Sequence, residues 1–212
     1  MRMRKKPNLI PRMERCASVQ IKEPEAFQGR WLQEFPQYRS LFVELGCGKG
    51  RFTAETAVTI PDTLLVGVEK VPDAMVVGME RVFNAGIENV RFMDRDVQNL
   101  PAIFGEHEID RIYINFCDPW PTKRHAKRRL TSGGFLEIYK GVLKNGGEIH
   151  FKTDNLPLFE YSLEEFESHG FTLSEVTRNL HENGPVGIMT DYEAKFHEQG
   201  VHINRCVARF EK

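Results

Sequence analysis

Apolar residues recur in short runs along the chain, and polar-faced stretches with a different period separate them. Runs at 41–45, 64–68, 90–93, 109–116 and 148–152 have the length and composition of strands. Stretches at 52–59, 73–85, 97–104, 135–143 and 156–169 repeat their apolar positions with helical period. Strands alternating with helices at this spacing predict βαβ units around a parallel sheet, an α/β fold. Glycine-rich stops such as Asn84-Ala85-Gly86 and Asn145-Gly146-Gly147 mark helix ends. After Gly170 the rhythm changes. Residues 171–177 and 202–210 alternate like strands, with an irregular loop at 181–191 between them, and predict an antiparallel edge on the sheet. Residues 1–22 read as a basic arm and 23–35 as a short helix ahead of the first strand. No linker composition or internal repeat divides the chain, so one domain over 1–212 is expected.

Composition narrows the class. Apolar residues make up 41% and charged residues 28% of 212, which excludes disorder and fibrous repeats. Lys+Arg number 29 and Asp+Glu 30, a formal net charge of −1. That balance excludes a uniformly basic nucleic-acid coat and leaves room for a local patch. No apolar run approaches the ~20 residues of a membrane helix, so no membrane partner is expected. The start, MRMRKKPNLIPRMER, has no hydrophobic stretch of the secretory kind. Cys16, Cys47, Cys117 and Cys206 match no zinc or disulfide spacing, which points to a reduced, cytoplasmic protein without a metal.

The chemistry concentrates where strands end. The first predicted strand runs into Glu44-Leu45-Gly46-Cys47-Gly48-Lys49-Gly50, whose alternate glycines permit a sharp turn and close approach of a ligand. Glu69 closes the second strand about 20 residues later, where a carboxylate accepts hydrogen bonds from ribose hydroxyls. Asp94 and Asp96 follow the third strand and Asp118 the fourth. The glycine spacing is not the G-x-G-x-x-G of nicotinamide proteins, which weighs against an oxidoreductase. A row of acids suits a cationic cofactor better than a pyrophosphate, and S-adenosylmethionine offers a sulfonium, an ammonium, a ribose and an adenine.

The fourth strand leads into Cys117-Asp118-Pro119-Trp120-Pro121, stiffened by two prolines. A basic run follows: Lys123, Arg124, His125, Lys127, Arg128 and Arg129. Beside a presumed reaction centre such a run neutralises phosphates and suggests a nucleic-acid substrate. The basic arm adds Arg2, Arg4, Lys5, Lys6, Arg12 and Arg15. His125 sits near no other metal-type ligand and carries no catalytic role. A binding protein without activity would explain the basic run but not the acids. Methyltransferases acting on exocyclic amines place Asp/Asn-Pro-Pro-aromatic here, whereas Trp120 directly follows Pro119.

These segments, with Phe151-Lys152-Thr153-Asp154-Asn155 and Thr190-Asp191-Tyr192-Glu193, resemble the bacterial tRNA (guanine-N7)-methyltransferases in order and over nearly the whole chain. The resemblance implies a doubly wound, mostly parallel, seven-stranded Rossmann-like sheet with an antiparallel edge strand. It implies S-adenosylmethionine as donor, tRNA as partner, and the variable-loop guanosine as acceptor, in a monomer or homodimer. It implies cofactor contacts at Glu44, Glu69, Asp96 and Asp118, to which Gly46 and Gly48 of the glycine turn are added, and Asp118 is the expected catalytic residue, its negative charge stabilising the charge that moves in methyl transfer. It implies RNA contacts across 124–129 and substrate contacts at Asp154, Thr190, Asp191, Tyr192 and Glu193. The family's lysine four residues after the Asp of Asp-Pro-Trp is Thr122 here, and the adjacent Lys123 is the expected substitute. Guanine's Watson–Crick edge presents two donors, which makes Glu193 or Asp154 the expected reader of the base, unless Glu193 is instead the N-terminal acid of a helix at 192–196.

Overall fold

The computed structural model describes residues 6–211. Two compact units meet in sequence between Gly105 and Glu106. The sheet has seven strands, three from the first unit and four from the second.

In the first unit, β1 (Ser40–Leu45), β2 (Thr63–Val68) and β3 (Val90–Met93) are parallel, with β2 in the middle. Every residue of β2 is buried, as a strand covered on both faces requires. Helix α1 (Leu9–Arg15) lies in the basic arm and α2 (Trp31–Glu34) precedes β1. Helix α3 (Arg51–Thr59) follows β1 and α4 (Pro72–Asn84) follows β2. Pro72 suits the first turn of α4, where its missing N–H is not needed. One side of α4, including Met75, Val76, Met79 and Val82, is buried.

Three expectations change in this unit. The single helix over 23–35 is two short pieces, a 3-10 turn at Pro24–Phe27 and α2. Gly29 between them is left-handed (φ 72°), which ends the first piece. Trp31 is thereby fully buried, its indole N–H donating to Ile103 O at 3.0 Å. The helix over 97–104 is likewise a 3-10 turn at Val97–Asn99 followed by α5 (Leu100–Ile103). The arm is not a free cationic tail. Arg12 grips Glu80 of α4 with two bonds (2.9 and 2.6 Å), and Arg15 adds a third at 2.8 Å. Both guanidinium groups are paired with the one carboxylate of α4. Arg2, Arg4 and Lys5 lie outside the described residues.

In the second unit, β4 (Ile109–Asn115) and β5 (Leu143–Thr153) are parallel. Strand β7 (Asn204–Phe210) runs antiparallel to β5 and to β6 (Phe171–Thr177), so the reversed pairing falls at the edge that the alternation after Gly170 predicts. Helices α6 (Gly133–Val142), α7 (Leu156–Ser168) and α8 (Asp191–Glu198) complete it. Phe151, Phe159, Phe166 and Tyr139 fill the core with no measurable exposure. Asn145-Gly146-Gly147 does not end a helix. The helix stops at Val142, and these glycines sit where the β4–β5 register jumps between Ile109↔Leu143 and Arg111↔Glu148.

The packing behind the first unit's glycine loop tolerates no added atom. A Cβ on Gly67 would meet Phe92 Cδ1 and Cε1 at 2.8 Å and Cys47 Sγ at 2.9 Å. Gly67→Ala is therefore expected to destabilise the protein by about 1–3 kcal/mol, the usual cost of overpacking. Urea unfolding measures it, and an unchanged midpoint would contradict the fit described.

Candidate functional site

Strand β1 carries Glu44 one residue before its end, and the chain then turns through three left-handed glycines, Gly46 (φ 73°), Gly48 (φ 56°) and Gly50 (φ 66°). Gly50 caps α3, and a Cβ there would come within 2.8 Å of Gly78 Cα in α4. Gly46 differs: a Cβ on it would meet nothing within 4 Å, so the loop faces open space on that side. Glu69 holds the loop in shape. One carboxylate oxygen accepts Gly48 N–H at 3.0 Å and the other accepts Val71 N–H at 2.9 Å. Glu44 is 2% exposed and accepts the hydroxyl of Thr53 from α3. Burial, with the negative charges of Glu44 and then Glu69, pushes the Cys47 thiol well above its ordinary range. Asp96 is exposed and caps the 3-10 turn by accepting Gln98 N–H at 3.1 Å.

The structure thus gathers Glu44, the glycines and Glu69 around one loop, with Asp96 at the end of the neighbouring β3. Two exposed lysines, Lys49 in the turn and Lys70 after Glu69, flank this site. Of the nearby cations, Arg51 pairs with Glu55 at 2.8 Å. A carboxylate oxygen already accepting one bond retains a second lone pair for a ligand.

In the second unit, β4 ends at Asn115, beside Lys152 of β5. Phe116 (φ 54°) and Trp120 (φ 40°) are both left-handed, a rare state for aromatic residues. Between them Asp118 is exposed and Cys117 lies behind it. Burial, and next the Asp118 charge, push the Cys117 thiol up to about 12. The basic run folds back as a 3-10 turn, Lys123–Arg128, around the Trp120 ring. His125 meets that ring edge-on at 5.7 Å, and Arg128 lies over it at 4.9 Å. Thr122, where the family has its lysine, bonds His125 through its hydroxyl at 2.9 Å. Lys123, Arg124, Lys127 and Arg128 are exposed; Arg129 is half-buried.

The third cluster was only half legible in the sequence. Glu193 has no exposed surface, and both its oxygens are engaged. Lys152 Nζ lies 2.6 Å from one and His181 Nε2 3.1 Å from the other. Thr190 and Glu193 also form a capping box at the start of α8. His181 Nδ1 accepts Val186 N–H at 3.1 Å, which leaves the proton on Nε2 for Glu193. Glu193 is thus not a free carboxylate facing a base; reading one would require it to give up a partner. Asp154 is half-exposed just past β5, and Asp191 and Tyr192 are exposed at the tip of α8. The Phe116 ring, 6.1 Å from Phe196 of α8, ties the end of β4 to this corner. Lys152 and His181 were not anticipated; a lysine inside the buried end of β5 was the available signal.

A sheet with a glycine turn and acids at the ends of parallel strands is an arrangement that methyltransferases use. Solved structures share the fold: the 16S rRNA methyltransferase KamB (TM-score 0.67, 14% identity, 85% of this chain and 92% of that one) and TrmN from Thermus thermophilus (TM-score 0.57, 20% identity, 84% and 46%). The family described as "Putative methyltransferase" matches residues 38–206. Two proteins named tRNA (guanine-N(7)-)-methyltransferase are each 41% identical: one from Listeria welshimeri over 100% of both chains, one from Geobacillus kaustophilus over 98% of this chain and 96% of its own. The chain belongs to the tRNA (guanine-N7)-methyltransferase family and is an enzyme.

The residues present fit the family's donor. Glu69 and Asp96 are acceptor-only side chains with accessible surface, a chemistry that suits hydroxyl and amino groups, whereas Glu44 is 2% exposed and bonded to Thr53. The open side of Gly46 leaves room for a ligand close to backbone. Among the described residues no group of three His, Cys, Asp or Glu side chains is placed to hold a metal, and no helix is long and apolar enough to cross a membrane.

Two outcomes are expected from the buried cluster and its strand. Lys152→Met strands the Glu193 carboxylate, at a cost of about 3–5 kcal/mol in chemical unfolding; a loss below about 1 kcal/mol would contradict the pairing. Burial, then the Arg111 charge, push His150 down to about 4, and burial lowers His181 also. Their folded values lie below the unfolded ones, so the stability they confer is full above about pH 6.5 and fades as pH falls through the folded values. NMR titration of His150 should give a midpoint near 4; a midpoint at the ordinary histidine value would contradict its burial.

Proposed function

We propose that this enzyme transfers the methyl group of S-adenosylmethionine to N7 of the variable-loop guanosine of tRNA, in line and without a general base. The observation that carries the reading is the segment from Asp118 to Arg129. A stiff acidic loop is joined directly to exposed cations, in a chain otherwise balanced in charge. The names of relatives that match over the whole chain agree with it.

In this reading Glu44, Glu69 and Asp96 orient the donor, and the glycine turn admits it against the backbone. When bound, S-adenosylmethionine supplies a methyl group on a positively charged sulfur. Guanine N7 presents a free lone pair, so no side chain has to remove a proton first. The chain's contribution is alignment and charge. Alignment alone can lower the barrier by roughly 7–11 kcal/mol. Asp118, a fixed negative charge, stabilises the positive charge as it moves from sulfur to the guanine ring. Asp154 accepts the two donors of the Watson–Crick edge, a pattern adenine does not present. Thr190, Asp191 and Tyr192 lie at the start of the helix that Glu193 anchors, and they face the nucleoside. Lys123, Arg124, Lys127 and Arg128 take the phosphates. All 212 residues serve as one methyltransferase domain working on tRNA in the cytoplasm.

Purified protein, unmodified tRNA and labelled S-adenosylmethionine should yield 7-methylguanosine in the variable loop, mapped by mass spectrometry. Label on an exocyclic amine or on adenine would overturn the reading. Asp118→Asn should slow the single-turnover step by about a hundredfold. With no base to ionise, that step should be nearly level between pH 6.5 and 8; a tenfold rise per pH unit would contradict the mechanism.

A further inference from the structure

The last residue of the basic run makes contacts unlike those of its neighbours. Arg129 Nε donates to Pro119 O at 3.1 Å and to Trp120 O at 3.3 Å, while Nη2 donates to Trp120 O at 3.0 Å. One face of its guanidinium lies 4.2 Å from the centre of the Tyr161 ring, on α7. Its own backbone is fixed at both ends: its N–H donates to Ala126 O and its carbonyl accepts Ser132 N–H, each at 3.0 Å.

The loop needs such a donor. Pro119 and Pro121 have no N–H, so the segment has little means of bracing itself through backbone bonds. Trp120 between them is held in the left-handed region (φ 40°), which its side chain disfavours and which surrounding contacts must enforce. A planar guanidinium fork reaches two successive carbonyls at once; a lysine ammonium lacks that geometry. The Nε–Nη2 edge used here is an edge with which arginine grips a phosphate. In Arg129 it is occupied.

We propose that Arg129 is a positioning residue for the Asp118 loop and not a phosphate ligand. The basic run then divides by task. Lys123, Arg124, Lys127 and Arg128 meet RNA, and Arg129 fixes the backbone that aims Asp118. The inference rests on the proposed role of Asp118.

The test compares Arg129→Lys and Arg129→Gln with Arg124→Ala. Wild-type circular dichroism and S-adenosylmethionine affinity establish that each variant is folded. Both Arg129 variants should lower the single-turnover methylation rate at saturating tRNA by at least about tenfold, the effect of a misaligned reacting group. Their tRNA affinity and its salt slope should stay at wild type. Arg124→Ala should flatten the slope by about 0.7–0.9. A readout without catalysis accompanies these. The chain has two tryptophans, and Trp31 is fully buried, so acrylamide quenching reports Trp120. Quenching should rise in both Arg129 variants. A flattened slope in Arg129→Gln, with wild-type saturated rate and quenching, would overturn the proposal. So would wild-type rate and quenching in Arg129→Lys, which is the deciding variant if Arg129→Gln does not fold. If the wild type does not methylate tRNA, the functional reading falls, and quenching alone judges the brace.

Discussion

The Glu69 carboxylate, accepting two backbone N–H groups, is the contact on which the glycine turn of the first unit depends. Strand β2 delivers it. Six buried residues run straight through the unit, and the first charge after them emerges at the strand's end. That charge lies beside the loop after β1 and takes its Gly48 N–H. The loop in turn can bend toward it only because three alternate glycines adopt positive φ. The close contact of Gly50 with Gly78 and the ring of Phe92 holds α3 and α4 together behind the turn. Apolar strand, acid and glycine turn are one device: the hydrophobic run fixes where the charge appears, and the charge fixes the turn.

Charge is placed by a similar logic in both units. The protein is nearly neutral, but its cations are not equivalent. Arg12 and Arg15 are spent on Glu80, Arg111 on Glu148, and Lys152 on a buried carboxylate. The run at 123–128 is exposed or half-exposed around Trp120. A local positive field arises there because four exposed cations, Lys123, Arg124, Lys127 and Arg128, fall in one short run with no acid among them. The buried Lys152–Glu193–His181 cluster is costly to desolvate. Its effect is to pin the start of α8, and with it Thr190, Asp191 and Tyr192, to the end of β5.

Much of this was legible in the sequence, for physical reasons. Strands buried on both faces read as continuous apolar runs, so β2 stood out nearly to the residue. Helices with one buried face, such as α4 and α7, were legible from their period and their proline and glycine punctuation. The places of the acids at the ends of β1, β2 and β3 and of the Asp-Pro-Trp-Pro loop were legible because they are fixed by local sequence. What failed depended on contacts remote in sequence. The helix expected over 23–35 broke because burying Trp31 required a turn at Gly29. The arginines of the arm looked free because Glu80 is 65 residues or more away. Glu193 looked like an open carboxylate because Lys152 and His181 reach it from other elements. Arg129 looked like one more phosphate contact because its carbonyl partners lie ten and nine residues back.

The most direct test of the central contact is calorimetric titration with S-adenosylmethionine of the wild type and Glu69→Gln. The amide is isosteric, but it puts an N–H donor where an acceptor faced a backbone N–H, so the glycine turn loses a tie and the cofactor a charge. The account predicts one site in the wild type and an affinity at least about tenfold lower in the variant, the effect of losing a charged hydrogen bond. Equal affinity in the two proteins would contradict it.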